Sequence, residues 1–370
     1  MEVWAKYREA ALGRGLAGKV RLQASRLAEK LGRRPVIMEV CGTHTVALSR
    51  WGIRSLLKDV LDLRSGPGCP VCVTAPEDID AILALSEQPE IVVATFGDMV
   101  RVPGSRGSLE SARLRGARVQ VCYSPEEAVA LAATETDKEV VLIGIGFETT
   151  APTVALALLK ARKQGIKNFS VYSAHKLVPP VLAALAEDAA IQIDGLILPG
   201  HVSVILGRRA FDFLALKYGI PAVIAGFEPV DILGALKELL ETLLAGRAEV
   251  FNAYPRAVTE EGNKRAQELL REVFNTGPAR WRGIGEIPES GLEVGLDYRP
   301  WNAKARWRIN IEPPVIPRGC RCNNVLKGQC LPVDCGLFGR SCTPTNPIGP
   351  CMVSSEGACA AYFRYERRQI

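Results

Sequence analysis

The sequence predicts an α/β protein: two Rossmann-like α/β domains with parallel sheets, followed by an irregular, cysteine-rich domain at the carboxyl end. Three observations carry this. From Pro35 to about Gly246, short continuous apolar runs alternate with helical periodicity, the pattern of buried parallel strands separated by helices. Beyond Gly246 that rhythm stops. Seven of the eleven cysteines then fall between Cys320 and Cys359, in turn-rich sequence of the kind that a metal centre staples. A chain of 370 residues is also too long for one ordinary domain.

Taken in order, residues 1–34 read as an amphipathic helix pair that packs with the carboxyl-terminal domain. Leu22, Leu27 and Leu31 lie on one stripe, and a glycine-marked break falls between Gly13 and Gly18. Residues 35–130 form a first α/β domain and 131–248 a second, split between Cys122 and Glu139. Their strands are expected at Pro35–Val40, Ile91–Phe96, Val140–Ile145, Phe169–Tyr172, Gly195–Leu198 and Ala222–Ala225. A helix is expected over Asp231–Gly246, with Asp231 as N-cap and leucines at helical spacing. Residues 249–370 form the third domain, where Trp281, Trp301 and Trp307 sit among glycines and prolines.

Composition excludes several classes. Hydrophobic residues at 48% and charged residues at 23% are ordinary globular values, which rules out a disordered or fibrous chain. Lys+Arg exceed Asp+Glu by only +6, too dilute for a nucleic-acid footprint. From Arg256 to Arg368, 17 basic residues face 12 acidic ones, an excess that would suit an anionic group. The charged amino terminus does not resemble a signal peptide, and no apolar run approaches the roughly 18 residues of a membrane span. A soluble, cytoplasmic protein is expected. Thiols in a reducing compartment more often bind metal or carry redox chemistry than form structural disulfides.

The tail cysteines, Cys320, Cys322, Cys330, Cys335, Cys342, Cys351 and Cys359, are too many for one site. Their spacings are wide and lack tight C-x2-C knuckles, which favours an iron–sulfur cluster while leaving zinc open. Spacing alone does not choose four ligands from seven.

A second concentration of chemistry is Glu39-Val-Cys-Gly-Thr-His44 and Ser65-Gly-Pro-Gly-Cys-Pro-Val-Cys72. Cys41 falls where a strand ends, the ligand-binding edge of an α/β sheet, and Thr43 can cap the helix that follows. Cys69 and Cys72 precede Thr74-Ala-Pro-Glu77, which reads as a capping box with Thr74 as N-cap. Thiols beside helix N-termini are favoured as thiolates. The C-x-x-C reads either as a redox pair or as half of a metal site completed by Cys41 and His44. The only histidines, His44, His175 and His201, each follow an expected strand. Gly144-Ile-Gly-Phe-Glu148 lacks the third glycine of a phosphate turn. Gly226-Phe-Glu-Pro229 repeats its Gly-Phe-Glu element, which points to paired loops on one cleft. Cys122 reads as core.

Together these motifs resemble the HypD family of hydrogenase maturation proteins, nearly end to end. The resemblance rests on Met38–His44, Gly66–Cys72, Ala94–Met99, Gly146–Pro152, His175–Pro180, Pro199–Ser203, Gly226–Pro229, Cys342–Pro347 and Met352–Cys359. The family's cluster signature, C-x14-C-x6-C-x16-C, falls on Cys320, Cys335, Cys342 and Cys359, which the resemblance makes ligands of a 4Fe-4S cluster. It leaves Cys322, Cys330 and Cys351 over, with Cys322 and Cys330 as competitors for the first position. By the same resemblance the chain is a scaffold on which the Fe(CN)2CO group of nickel–iron hydrogenases is assembled, with the chaperone HypC as partner and cyanide delivered through HypE. Cys41 is then the iron ligand, shared with a cysteine of HypC. Cys69 and Cys72 are the thiol/disulfide pair beside the iron, and the cluster is an electron relay toward them. Low-spin iron with cyanide and CO is soft and suits thiolate. His44, His175, His201, Glu148 and Glu228 are candidates for holding the thiolates and hydrogen-bonding the diatomic ligands.

Two rivals make other use of the same residues. A free-standing iron–sulfur thiol/disulfide oxidoreductase would use Cys69, Cys72 and the cluster but leave Cys41 idle. A binding module would carry zinc as a structural staple. A nucleotide enzyme is disfavoured by the incomplete glycine pattern.

Overall fold

A computed structural model of the chain describes residues 6–366. The first five residues of the expected 1–34 segment, and the last four of the tail, lie outside the described residues. The molecule is α/β with parallel sheets, as expected. The chain enters with strands β1 (Val36–Glu39) and β2 (Asp62–Ser65) and leaves for β3 (Ile91–Thr95), β4 (Arg118–Val121), β5 (Glu139–Gly144) and β6 (Phe169–Ser173). It then returns with β7 (Gly195–Pro199), β8 (Ala222–Ala225) and β9 (Val250–Asn252). The first sheet runs in the order β2-β1-β7-β8-β9 and the second in the order β4-β3-β5-β6, with every pairing parallel. Every residue of β1, β3, β6, β7 and β8 is buried, as strands covered on both faces must be.

The sheets do not divide where the sequence suggested. The expected split between Cys122 and Glu139 falls inside the second sheet, because β3 pairs with both β4 and β5. The second sheet is an insertion between β2 and β7 of the first. Apolar strand–helix repeats look alike whichever sheet the next strand joins, so periodicity cannot locate such a boundary.

The amino-terminal segment is one helix, Ala10–Leu31, unbroken at Gly13 or Gly18. This helix packs on the Pro229–Leu244 helix of the first sheet, while Tyr7, ahead of it, lies under the Arg256 guanidinium at 4.0 Å. Val20, Ala24 and Leu27 join Ile232, Leu236 and Leu240 in one core, and Gln23 hydrogen-bonds Glu241 at 2.7 Å. Of the expected leucine stripe only Leu27 is buried. Two caps also move. The Pro76–Ser86 helix takes Ala75 as N-cap with Pro76 in its first turn, while the Thr74 hydroxyl donates to Pro70 O. The Pro229–Leu244 helix begins at Glu228, and Asp231 accepts from Glu228 N from the third position. In both, proline takes the first helical position, where its missing N–H costs nothing.

Beyond β9 the chain is not wholly irregular. Strands β10 (Phe274–Trp281) and β11 (Gly285–Val294) form an antiparallel hairpin with a register shift between Gly277 and Ala279. Short helices and turns follow, carrying the tail cysteines. Among the described residues no helix is long and apolar enough to cross a membrane.

Candidate functional site

Cys41 stands at the carboxyl end of β1 and is the N-cap of the Gly42–Arg50 helix. Its neighbour β2 ends at Ser65, in register with Glu39. The Gly66-Pro67-Gly68 turn therefore crosses the end of β1, and Gly42 N donates to Gly68 O at 2.9 Å. The approach is so close that a Cβ on Gly68 would lie 2.1 Å from Cys41 N; only glycine fits. Cys69 follows at once. It caps a one-turn helix, Pro70–Val73, and is joined to Cys72 in a disulfide with the two Cα atoms 5.2 Å apart. The two motifs thus meet at the ligand-binding edge of the first sheet. Ligation of a metal by Cys69 or Cys72 would first require reduction of that bond.

Helix N-termini do not govern Cys41 as expected. Burial pushes its thiol up to about 12, with the Glu356 and Glu39 carboxylates adding to the effect and the His44 and Thr43 amides opposing it. Beneath it, Glu39 is buried; one oxygen accepts from Thr45 Oγ1 at 2.6 Å and the other from Cys41 N at 3.1 Å. Arg54 lies 3.6 Å from the same carboxylate. Burial raises Glu39 to about 7, against the pull of Arg54.

His44 is fully buried, and its Nε2 lies 2.9 Å from Gly226 O. A carbonyl can only accept, so Nε2 carries the proton and Nδ1 is a bare acceptor. That Nδ1 is buried without a partner, and burial lowers the ring to about 4. The Phe227 ring is 4.7 Å from His44 and stacks on the exposed His201 at 4.1 Å. The Gly-Phe-Glu loop after β8 thus joins two of the three histidines to the Cys41 edge. Glu228, next in that loop, pairs instead with Arg8 at 2.7 Å, whose hydrogen bond holds its carboxyl below the usual range.

His175 and Glu148 lie at the carboxyl edge of the second sheet. The Nδ1 of His175 is 3.1 Å from Ser173 Oγ, and its ring packs edge-on to Phe274. Glu148 accepts from Val178 N at 2.9 Å, its other oxygen has no partner, and burial pushes it up to about 7. This group meets the C-x-x-C through Trp281, which stacks on Phe147 at 6.1 Å and bridges to Thr74.

In the tail, Cys320, Cys335, Cys342 and Cys359 line one small apolar cavity with Leu337, Phe338 and Met352. Cys322 and Cys351 line it too; Cys330 does not. The donor set, soft thiols on an apolar wall, fits an iron–sulfur cluster. Among the described residues no three His, Cys, Asp or Glu side chains are arranged as ligands of a single metal ion. Burial raises Cys320 to about 12 and Cys342 above its ordinary range, so metal must displace protons there. Cys322 and Cys351 form a pair of their own, with sulfurs 2.7 Å apart. The hydrogen bond from Cys351, and after it the Arg282 charge, hold Cys322 below the ordinary thiol range against its burial.

One turn ties the tail to both sheets. Thr43 Oγ1 donates to Glu356 at 2.7 Å, while Ser354 Oγ, Ser355 N and Ser355 Oγ all donate to Asp98 Oδ2 within 3.2 Å. Glu39, Arg54, Asp98, Phe227 and Glu356 are the residues sequence reasoning did not single out. Glu39, Asp98, Phe227 and Glu356 lay inside quoted motifs, which was the available signal; Arg54 had none.

A double α/β fold in which a disulfide turn seats on the backbone of a buried cysteine, tied to a pocket lined by further cysteines, defines a cysteine-rich α/β protein. The HypD family model, described as "Hydrogenase formation hypA family", matches residues 16–366. The chain is 41% identical to the hydrogenase maturation factor HypD of Rhodobacter capsulatus over 99% of its own length and 98% of that protein. It is 40% identical to HypD of Escherichia coli K12, covering 95% and 94% of the two chains. With a putative hydrogenase expression/formation protein of Methanocaldococcus jannaschii it shares 41% identity over 96% and 98%. The chain belongs to the HypD family, and its general role is in hydrogenase maturation.

Proposed function

We propose that the chain is the scaffold and redox component for assembling the Fe(CN)2CO group of nickel–iron hydrogenase. Iron is held at Cys41 together with a cysteine of HypC, cyanide arrives through HypE, and the Cys69–Cys72 pair gates electrons. The observation that carries this is the seating of the C-x-x-C turn on Cys41 through Gly68. A redox-active pair is thereby fixed beside a thiol that is otherwise inert. Cys41 loses its proton when iron arrives, since thiolate is the ligand form. Bare His44 Nδ1 can accept a hydrogen bond from a protonated neighbour in the site but cannot donate one.

Cys320, Cys335, Cys342 and Cys359 would hold a 4Fe-4S cluster, which supplies one-electron transfer when bound. Cys322 and Cys351, on the same cavity wall, form an intermediate dithiol/disulfide step. Reducing Cys69–Cys72 breaks one S–S bond and takes up two electrons and two protons. Cys41→Ala should abolish retention, by the complex with HypC, of the iron beyond the cluster's own, while the Cys69–Cys72 midpoint potential stays as in the wild type. Retention of that additional iron in Cys41→Ala would overturn the scaffold reading and leave a thiol/disulfide oxidoreductase in its place.

A further inference from the structure

The His175-Lys176 turn leaves β6 at the carboxyl end of a parallel strand, the end at which α/β sheets take ligands, yet it has no part in the thiol chemistry proposed for the first sheet. The β10–β11 hairpin clamps it: Lys176 bridges to Gly291, and Leu177 N donates to Ser290 O at 2.8 Å. Between this turn, the hairpin and the first turn of the Pro76–Ser86 helix lies a cavity of about 100 Å³. Glu77, Asp78, His175, Lys176, Arg280 and Lys304 stand on its wall.

The cavity is short of hydrogen-bond donors. The Ser173 hydroxyl spends its one proton on Leu292 O, so toward His175 Nδ1, 3.1 Å away, it can only accept. The ring proton is therefore on Nδ1, and Nε2 is a bare acceptor. His175 is 1% exposed, and that Nε2 has no partner. Burial, and after it the Lys176 and Lys304 charges, push the ring down to about 3, so it stays neutral and Nε2 stays bare. Glu77 accepts from Arg280 Nη1 at 2.9 Å through one oxygen, while its other oxygen is buried without a partner. Asp78 is filled, accepting from Tyr172 Oη at 3.0 Å and from Lys176 Nζ at 3.3 Å. The buried Lys176 ammonium carries three protons. Among the described residues its side chain makes that one hydrogen bond, which leaves protons for another acceptor.

The charges, by contrast, are balanced. Lys176 pairs with Asp78, Arg280 with Glu77 and Lys304 with Glu293, at 3.3, 2.9 and 3.0 Å. No net charge is left to draw in an anion or a cation. A carboxylate or phosphate dianion would set lone pairs against the two orphaned acceptors, and an alcohol has one proton for both. What matches is an uncharged molecule with two N–H donors and a carbonyl beside them.

We propose that this cavity is a binding site for a small primary amide, whose N–H2 group donates to His175 Nε2 and Glu77 and whose carbonyl accepts from Lys176. The site is separate from the thiol centres and does not depend on the iron-scaffold reading.

Saturation-transfer NMR on the full chain, read at the probe's methyl protons, compares three molecules of one shape: acetamide, acetone, in which a methyl replaces the donors, and acetate, which is charged. Acetamide should bind saturably, with acetone and acetate each at least about tenfold weaker. Glu77→Gln keeps an acceptor for Arg280 but puts a donor where the orphaned oxygen stood, and should weaken acetamide at least about tenfold. His175→Phe, which removes Nε2, should do the same. If His175→Phe does not fold, Glu77→Gln, at a half-buried side chain, decides alone. Four results overturn the proposal. Acetamide that does not saturate means that the cavity holds water only. Acetone as tight as acetamide assigns binding to size, and tighter acetate makes the cavity an anion site. Unmoved affinity in Glu77→Gln puts the amide somewhere else.

Discussion

Thr43 and Glu356, 313 residues apart in sequence, share a 2.7 Å hydrogen bond that closes the carboxyl-terminal turn over the loop of Cys41. Thr43 lies two residues past the proposed iron ligand, and Glu356 lies three before Cys359. Burial raises the Glu356 carboxyl above its usual range, and the Thr43 hydrogen bond opposes the shift.

Glu356→Ala removes the acceptor and leaves the Thr43 hydroxyl unpaired. It should lower the free energy of unfolding by about 1–3 kcal/mol, measured by urea denaturation. Glu356→Gln keeps an acceptor oxygen and should cost less than about 1 kcal/mol. Equal losses in the two variants would show that the contact contributes through packing alone.

Two glycine substitutions should move stability in opposite directions. Gly68→Ala drives a methyl against the backbone of Cys41 and should cost about 3 kcal/mol or more. Gly18→Ala, in an exposed part of the Ala10–Leu31 helix with nothing within 4 Å, should stabilise by about 0.5–1 kcal/mol. Thermal and denaturant unfolding of the two single variants settle both.

Glu148 gives a pH dependence with a definite sign. Its folded carboxyl is raised from 4.5 to about 7, so the folded chain keeps a proton that the unfolded chain releases. Stability is fully present below about pH 4.5, is lost as pH rises toward 7, and is level above that. The loss is about 3 kcal/mol at most. Glu148→Gln keeps the acceptor for Val178 N but cannot ionise, so its advantage over wild type should grow between pH 4.5 and 7. A constant gap between the two proteins from pH 5 to pH 8 would contradict this.

Iron and acid-labile sulfide content separates ligands from bystanders. Wild-type protein prepared without oxygen should hold about four irons per chain. Cys335→Ala and Cys342→Ala should lose most of it, whereas Cys330→Ala, whose thiol is not on the cavity wall, should keep it. Iron loss in Cys330→Ala would reassign the first ligand position.

The strands that could be read from sequence were those buried on both faces: β1, β3, β5, β6, β7 and β8. β4 escaped because Arg118 and Gln120 on it are exposed, and β2 because Asp62 and Arg64 on it are only partly buried. The hairpin escaped because Gly277, Pro278, Pro288 and Gly291 break its apolar pattern. The proximity of Cys41 to Cys69 was foreshadowed by the strand-end rule, but the need for glycine at position 68 shows only in the fold, where a Cβ would meet the Cys41 backbone. The Cys322–Cys351 pair had no signal at all. Its members are 29 residues apart in sequence, and only the tertiary fold brings them together.

The insertion of one sheet inside the other sets an order of events on the ribosome. β3 to β6 are contiguous in the chain, so the second sheet has all its strands once residue 173 has emerged. β1 and β2 must wait for β7, which begins at Gly195 and pairs with β1. Cys41 and Cys69 therefore spend part of synthesis at the edge of an unfinished two-strand ribbon, open to solvent and to oxidants. Their burial, and the silence of the Cys41 thiol that comes with it, arrive only with the last strands of the first sheet.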